Sequence, residues 1–162
     1  MYNSSSLHNK LYIEYNGIYH MQRERSAGAV LFNLNQVEPM YLVLHYTAGH
    51  WDFPKGNIED NEYELTTVKR EVREETSIDD IEFIEGFRKV VEYTYRRAGR
   101  LVHKVVVYYL ARTDTTDVRL SYEHNDYRWG RYDETMSILT YRNSKNVLND
   151  ADRLLRHRYL LH

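Results

Sequence analysis

The run Arg70-Glu71-Val72-Arg73-Glu74-Glu75 constrains this chain more than any other stretch. Leu65, Val68 and Val72 recur at spacings of three and four, so residues 61–76 read as a helix with one apolar face. Asn61 followed by Glu64 loosely fits the pattern in which two side chains cap a helix start reciprocally. On such a helix Glu71, Glu74 and Glu75 occupy neighbouring positions of one face. Three close carboxylates repel one another unless a cation compensates them. Hard divalent cations with oxygen ligands, Mg2+ above all, suit that set. A solvated acidic face, balanced by Lys69, Arg70 and Arg73, is the simpler reading of the cluster alone.

Around this helix the pattern is mostly extended. Leu11 to Tyr15 and Ile18 to Met21 flank Asn16-Gly17, a pair that favours a tight hairpin because both central residues must take positive φ. Ala27 to Asn33, Tyr41 to Tyr46, Val90 to Tyr95 and Val102 to Arg112 read as strands, the last two joined by an arginine-rich turn, Arg96 to Arg100. Arg128 to Tyr132 reads as a short strand and Asp133 to Leu139 as a short helix. Ser144 to Leu160 carries Val147, Leu148, Ala151, Leu154, Leu155 and Tyr159 at helical spacing. This order predicts an α+β fold, a mixed β-sheet covered by helices.

Composition narrows the partners. The net charge is −2, so no global basic field exists to hold bulk nucleic acid, and a polyanion must be gripped locally. Arg96, Arg97 and Arg100 leave a local RNA or phosphate contact open. The chain has no cysteine, which excludes thiolate metal sites and a cysteine nucleophile. The longest apolar run, Val105 to Ala111, is too short to span a bilayer. The first ten residues lack the pattern of a secretory signal. A cytoplasmic protein with no membrane partner is the expectation; the oligomeric state is not legible.

The wider spacing changes the reading of the acidic helix. Gly56, five residues, Glu62, seven residues, Arg70-Glu71, Val72, Arg73, Glu74-Glu75, Thr76, Ser77 and Ile78 resemble the Nudix box. The one departure is Ser77, where the family has the glycine that ends the helix in a left-handed conformation. The resemblance implies a Nudix-type α/β/α sandwich with a strand–loop–helix–loop catalytic motif. It implies a metal set of the Gly56 carbonyl with Glu71, Glu74 and Glu75, one of these carboxylates orienting or deprotonating water. Glu62 and Arg70 would be structural partners that hold the loop against the helix. The implied cofactor is Mg2+, for which Mn2+ can substitute.

The flanks, Ser26 to Phe32, His50 to Gly56, His103-Lys104, Glu123 to Trp129 and Leu139-Thr140-Tyr141, resemble the asymmetric diadenosine tetraphosphate hydrolase group. That likeness covers about residues 26–160. It makes 26–162 the Nudix hydrolase domain and leaves 1–25 as an N-terminal extension. The implied substrate is a small dinucleoside polyphosphate. His50, Lys55 and Lys104 would offset its phosphates, Tyr95 and Tyr141 would sandwich a base, and Glu123 would add a carboxylate from a loop over the site. Two other functions remain open: another Nudix pyrophosphohydrolase, acting on RNA 5′ ends or inositol pyrophosphates, and a nucleotide sensor without catalysis. The complete carboxylate set argues against the sensor.

Overall fold

The computed structural model of the chain describes residues 11–14 and 17–160. Strands β1 (Leu11–Glu14) and β2 (Gly17–His20) pair antiparallel as a two-stranded sheet. Asn16 of the expected turn lies outside the described residues.

The remaining strands form one mixed sheet. They are β3 (Gln22–Asn33), β4 (Met40–Tyr46), β5 (Trp51–Asp52), β6 (Lys55–Asn57), β7 (Glu82–Arg97), β8 (Arg100–Arg112) and β9 (His124–Gly130). The order is β5-β4-β3-β8-β7, with β6 added to β3 and β9 to β4. Among the described residues only β3 and β8 run parallel, in register from Gln22↔Val102 to Phe32↔Arg112; the other pairs are antiparallel.

Helix α1 (Glu64–Thr76) covers one face of this sheet, and α2 (Tyr132–Ile138) with α3 (Arg142–Leu155) covers the other. Alternation along buried strands makes both layers. Ala27, Ala29 and Leu31 of β3, with Leu42 and Leu44 of β4, meet Val68 and Val72 of α1. Val30, Phe32, Tyr41, Val43, Val106, Tyr108 and Leu110 meet Val147, Leu148, Ala151 and Leu155 of α3. The α/β/α sandwich expected from the box is the observed architecture.

Several local expectations are corrected. α1 starts at Glu64 rather than at 61, its N-cap is Tyr63 and no side chain caps it. Asn61 instead takes a positive φ of 62° in the preceding turn. Leu65 is exposed, and the helix buries Thr67, Glu75 and Thr76 beside its valines. β7 begins at Glu82, eight residues before the expected start, because a register break between Phe83 and Arg88, with Gly86 at positive φ, hides its alternation. The last helix begins at Arg142 and gives way after Leu155 to a π-helical turn, Arg156–Leu160.

The edge of β3 is divided, and that division creates the site. Residues Ser26 to Gly28 pair with β6, whereas Phe32 and Asn33 pair with β4. A Cβ at Gly28 would lie 2.5 Å from both Lys55 Cβ and the Pro54 carbonyl oxygen, so only glycine lets β6 come this close.

Candidate active site

The loop from β5 to β6 and the C-terminal half of α1 face each other across a short gap. Gly56 is the point of closest approach: a Cβ there would fall onto the Glu71 carboxylate. Behind it the Lys55 backbone N–H donates to Glu75 Oε2 at 3.1 Å. The loop is clamped to the helix by Arg70. Its guanidinium donates twice to Glu62, Nε to Oε2 at 2.8 Å and Nη2 to Oε1 at 2.9 Å, and once to the Asn57 carbonyl at 2.9 Å. Arg70 holds the Glu62 carboxyl down at about 2, Thr67 adding a hydrogen bond.

The three carboxylates of the acidic helix face and Glu123 do not share one environment. Glu75 is 3% exposed, and burial with the neighbouring charge of Glu71 pushes its carboxyl up to about 9. Glu71 is half-buried and also raised, by burial first, with Arg70 opposing at 2.7 Å. Glu74 points to solvent and accepts from Arg70 at 3.2 Å. Glu123 is exposed on the Ser121–His124 turn, and its charge raises both Glu71 and Glu75 further. Among the described residues, no three His, Cys, Asp or Glu side chains converge as a ready coordination group.

Beside Glu75 sits His124, 6% exposed, with Nε2 3.9 Å from Glu75 Oε1. Nε2 is the one buried side-chain polar atom among the described residues without a hydrogen-bond partner. Burial brings the ring's pKa down to about 4, Lys55 and His50 adding to the effect, so it is neutral at pH 7. At 3.9 Å the two groups form neither an ion pair nor a hydrogen bond.

On the other side of Lys55 lies a cleft of about 540 Å³. Its walls include His50, Tyr93, Tyr95, Tyr108, Tyr141 and Ser144. His50 stacks on Tyr46 at 4.6 Å and meets Tyr141 at 5.3 Å. Tyr93 and Tyr95, two apart on β7, present rings 6.0 Å apart to the same space. The structure therefore brings His50, Lys55, Tyr95 and Tyr141 to one cleft. Lys104 stands beside it rather than in its lining, its Nζ 3.5 Å from Glu24 and 3.4 Å from the Asn57 side-chain oxygen.

Two positions that the sequence reading missed organise these groups. Asp52 is 3% exposed; it accepts Lys55 Nζ at 2.8 Å and Ser144 Oγ at 2.7 Å, fixing the lysine between cleft and carboxylates. Lys55 also lies over the Tyr46 ring at 4.6 Å. Glu24 receives the Tyr95 hydroxyl at 3.0 Å and Arg97 at 2.5 Å. An acid three residues before a lysine in the 51–56 run was a local signal for Asp52. Nothing local marks Glu24, because its partners come from β7 and β8.

A family model described as NUDIX domain matches residues 22–151. The asymmetrical bis(5′-nucleosyl)-tetraphosphatase of Mus musculus is 32% identical over 143 residues, which cover 81% of this chain and 95% of the relative. The Sus scrofa protein of the same name is 34% identical with the same coverage. A crystal structure of a C. elegans Ap4A hydrolase binary complex superposes with a TM-score of 0.74 at 26% identity, covering 83% of this chain and 98% of that one.

Proposed function

The chain belongs to the Nudix family, and on that premise we propose that it hydrolyses dinucleoside tetraphosphates asymmetrically, diadenosine tetraphosphate and water giving ATP and AMP. The observation that carries the reading is the junction at Lys55. Its backbone meets Glu75 and its side chain lines the tyrosine-walled cleft, so a base pocket and a carboxylate cluster share one wall. The names of the relatives supply the asymmetric reaction.

The residues fit a divalent cation. Every donor is a hard oxygen, the choice of Mg2+ and of Mn2+ in its place. A carboxyl buried beside a second carboxyl needs compensating charge, and Gly56 leaves space where any side chain would fill it. Glu71, Glu75 and the Gly56 carbonyl would hold the ion, with Glu74 and Glu123 as further carboxylates at its edge. Such an ion offsets phosphate charge and makes water more acidic.

The chain's own groups do the rest. One of the carboxylates Glu71, Glu74, Glu75 and Glu123 accepts a proton from the attacking water. The water oxygen bonds to the phosphorus that carries one adenosine. The bond from that phosphorus to its bridging oxygen breaks, and the oxygen leaves on ATP. His50, Lys55 and Lys104 balance the phosphates, and Asp52 keeps Lys55 in place. Tyr95 and Tyr141 stack one adenine. The fixed distance from that anchor to the carboxylates selects a single bridge.

The test is product identification. Diadenosine tetraphosphate with Mg2+ is expected to give ATP and AMP in equal amounts, and complete chelation of divalent cations is expected to abolish turnover. Two ADP, or undiminished turnover in chelator, would contradict the proposal.

A further inference from the structure

The Ser121–His124 turn carries Glu123, whose charge acts on Glu71 and Glu75, and, beside it in the chain, a solvated aromatic ring. Tyr122 has 92% of its surface exposed. One exposed tyrosine needs no explanation in itself; its mounting does. The His124 N–H donates to the Ser121 carbonyl at 3.2 Å, closing the turn. The Ser121 N–H donates to the Glu75 carbonyl at 3.4 Å, and the Thr47 N–H to the Glu123 carbonyl at 3.0 Å. Ser121 Oγ lies 3.1 Å from His124 Nδ1, and the buried His124 ring packs edge-on against Tyr46 at 4.3 Å. Both ends of the turn are thus tied to the site while Tyr122 faces water.

We infer that Tyr122 is the platform for the second nucleobase of the substrate. The inference rests on the dinucleoside reading above. The cleft at Tyr95 and Tyr141 accounts for one base. From that cleft the protein surface runs over Lys55, whose N–H donates to the Glu75 carboxylate, to the turn, whose Ser121 N–H donates to the Glu75 backbone carbonyl and whose Glu123 charge acts on both Glu71 and Glu75. A phosphate chain leaving the cleft along this line crosses the carboxylates and delivers its far nucleoside to Tyr122. A tyrosine ring accepts any base by its face, so the contact requires no hydrogen-bond code. A turn already fixed loses little freedom when the base arrives.

Tyr63 supplies the control. It is 83% exposed at the start of α1, whereas Glu75 and the turn lie at the helix's other end. The experiment compares KM for diadenosine tetraphosphate with KM for adenosine 5′-tetraphosphate, which has one base. Tyr122→Ala is expected to raise the ratio of the two-base to the one-base KM by roughly 5- to 150-fold, the range that stacking on an aromatic ring is worth. Tyr122→Phe, which keeps the ring, should restore the wild-type ratio, and Tyr63→Ala should leave it unchanged. An unchanged ratio in Tyr122→Ala overturns the inference, as does an equal rise for both substrates. Failure of the wild type to cleave either compound overturns the substrate reading itself, and this inference with it.

Discussion

Glu75 is a costly residue to place where it stands. Its carboxyl is almost wholly buried, lies beside Glu71, and faces a neutral histidine nitrogen that offers it no bond. An acid kept in such surroundings serves something other than stability. Glu75→Gln and Glu71→Gln keep the shape and remove the charge and basicity. Each is expected to cut turnover about 10²-fold or more, while the melting temperature stays at or above that of the wild type. Near wild-type turnover in either variant, measured with Mg2+ at saturating substrate, would make the helix face a plain acidic surface. The spacing of Glu71, Glu74 and Glu75 was legible because helix geometry is local. Their unequal burial was not: it depends on where β6 passes, and β6 is positioned by Gly28, which lies on β3 outside the motif altogether. The same gap in locality put Leu65 outside and Glu75 inside, the reverse of what hydrophobicity alone predicts.

Helix α1 is held at both ends by contacts that reach beyond it. At its C-terminus Ser77 takes φ 63° and donates its N–H to the Arg73 carbonyl, the conformation that favours glycine. Ser77→Gly is expected to stabilise the protein by about 0.5–1 kcal/mol with unchanged turnover; a lower melting temperature would show that the hydroxyl's bond to the Arg119 carbonyl matters more. At the N-terminus Glu64 joins α1 to three strands through Arg25, Arg88 and Tyr109. Arg88 chiefly holds its carboxyl down at about 2, burial opposing. A depressed carboxyl stabilises fully above the unfolded value of about 4.5 and loses that contribution as pH falls to about 2. Discounted for water screening, it is worth about 1–2 kcal/mol. Denaturant titrations should therefore place Glu64→Gln below the wild type by that amount at pH 7, with the gap closing toward pH 2; a gap that persists at pH 2 would assign the loss to packing. Strand and helix types were readable from periodicity. The start of α1 was not, since Asn61 turns through positive φ before the helix begins, nor was the start of β7, where a bulge breaks the alternation.

The whole molecule is a sandwich whose sheet is split along one edge of β3. Helix α1 and the cleft lie on opposite faces of that sheet, and the β5–β6 loop passes between them with Asp52 and Lys55 as the connection. This explains how one loop can border both the tyrosine-walled cleft and the carboxylates of α1. The layered architecture and the motif were legible together, because alternation that buries both faces of a strand demands helices on each side. The pairing of β3 with β8, a partner some eighty residues on, was not, and neither were the ties of Glu24 to β7 and β8 that depend on it. Among the described residues no helix is long and apolar enough to cross a membrane. On the proposed function, the cleft measures out the phosphate chain so that water attacks the phosphorus bearing one adenosine. Hydrolysis of diadenosine tetraphosphate in oxygen-18 water, with both products resolved by mass, tests it most directly. AMP is expected to carry the label and ATP none; label in ATP, or labelled ADP as the product, would rule out attack at that phosphorus.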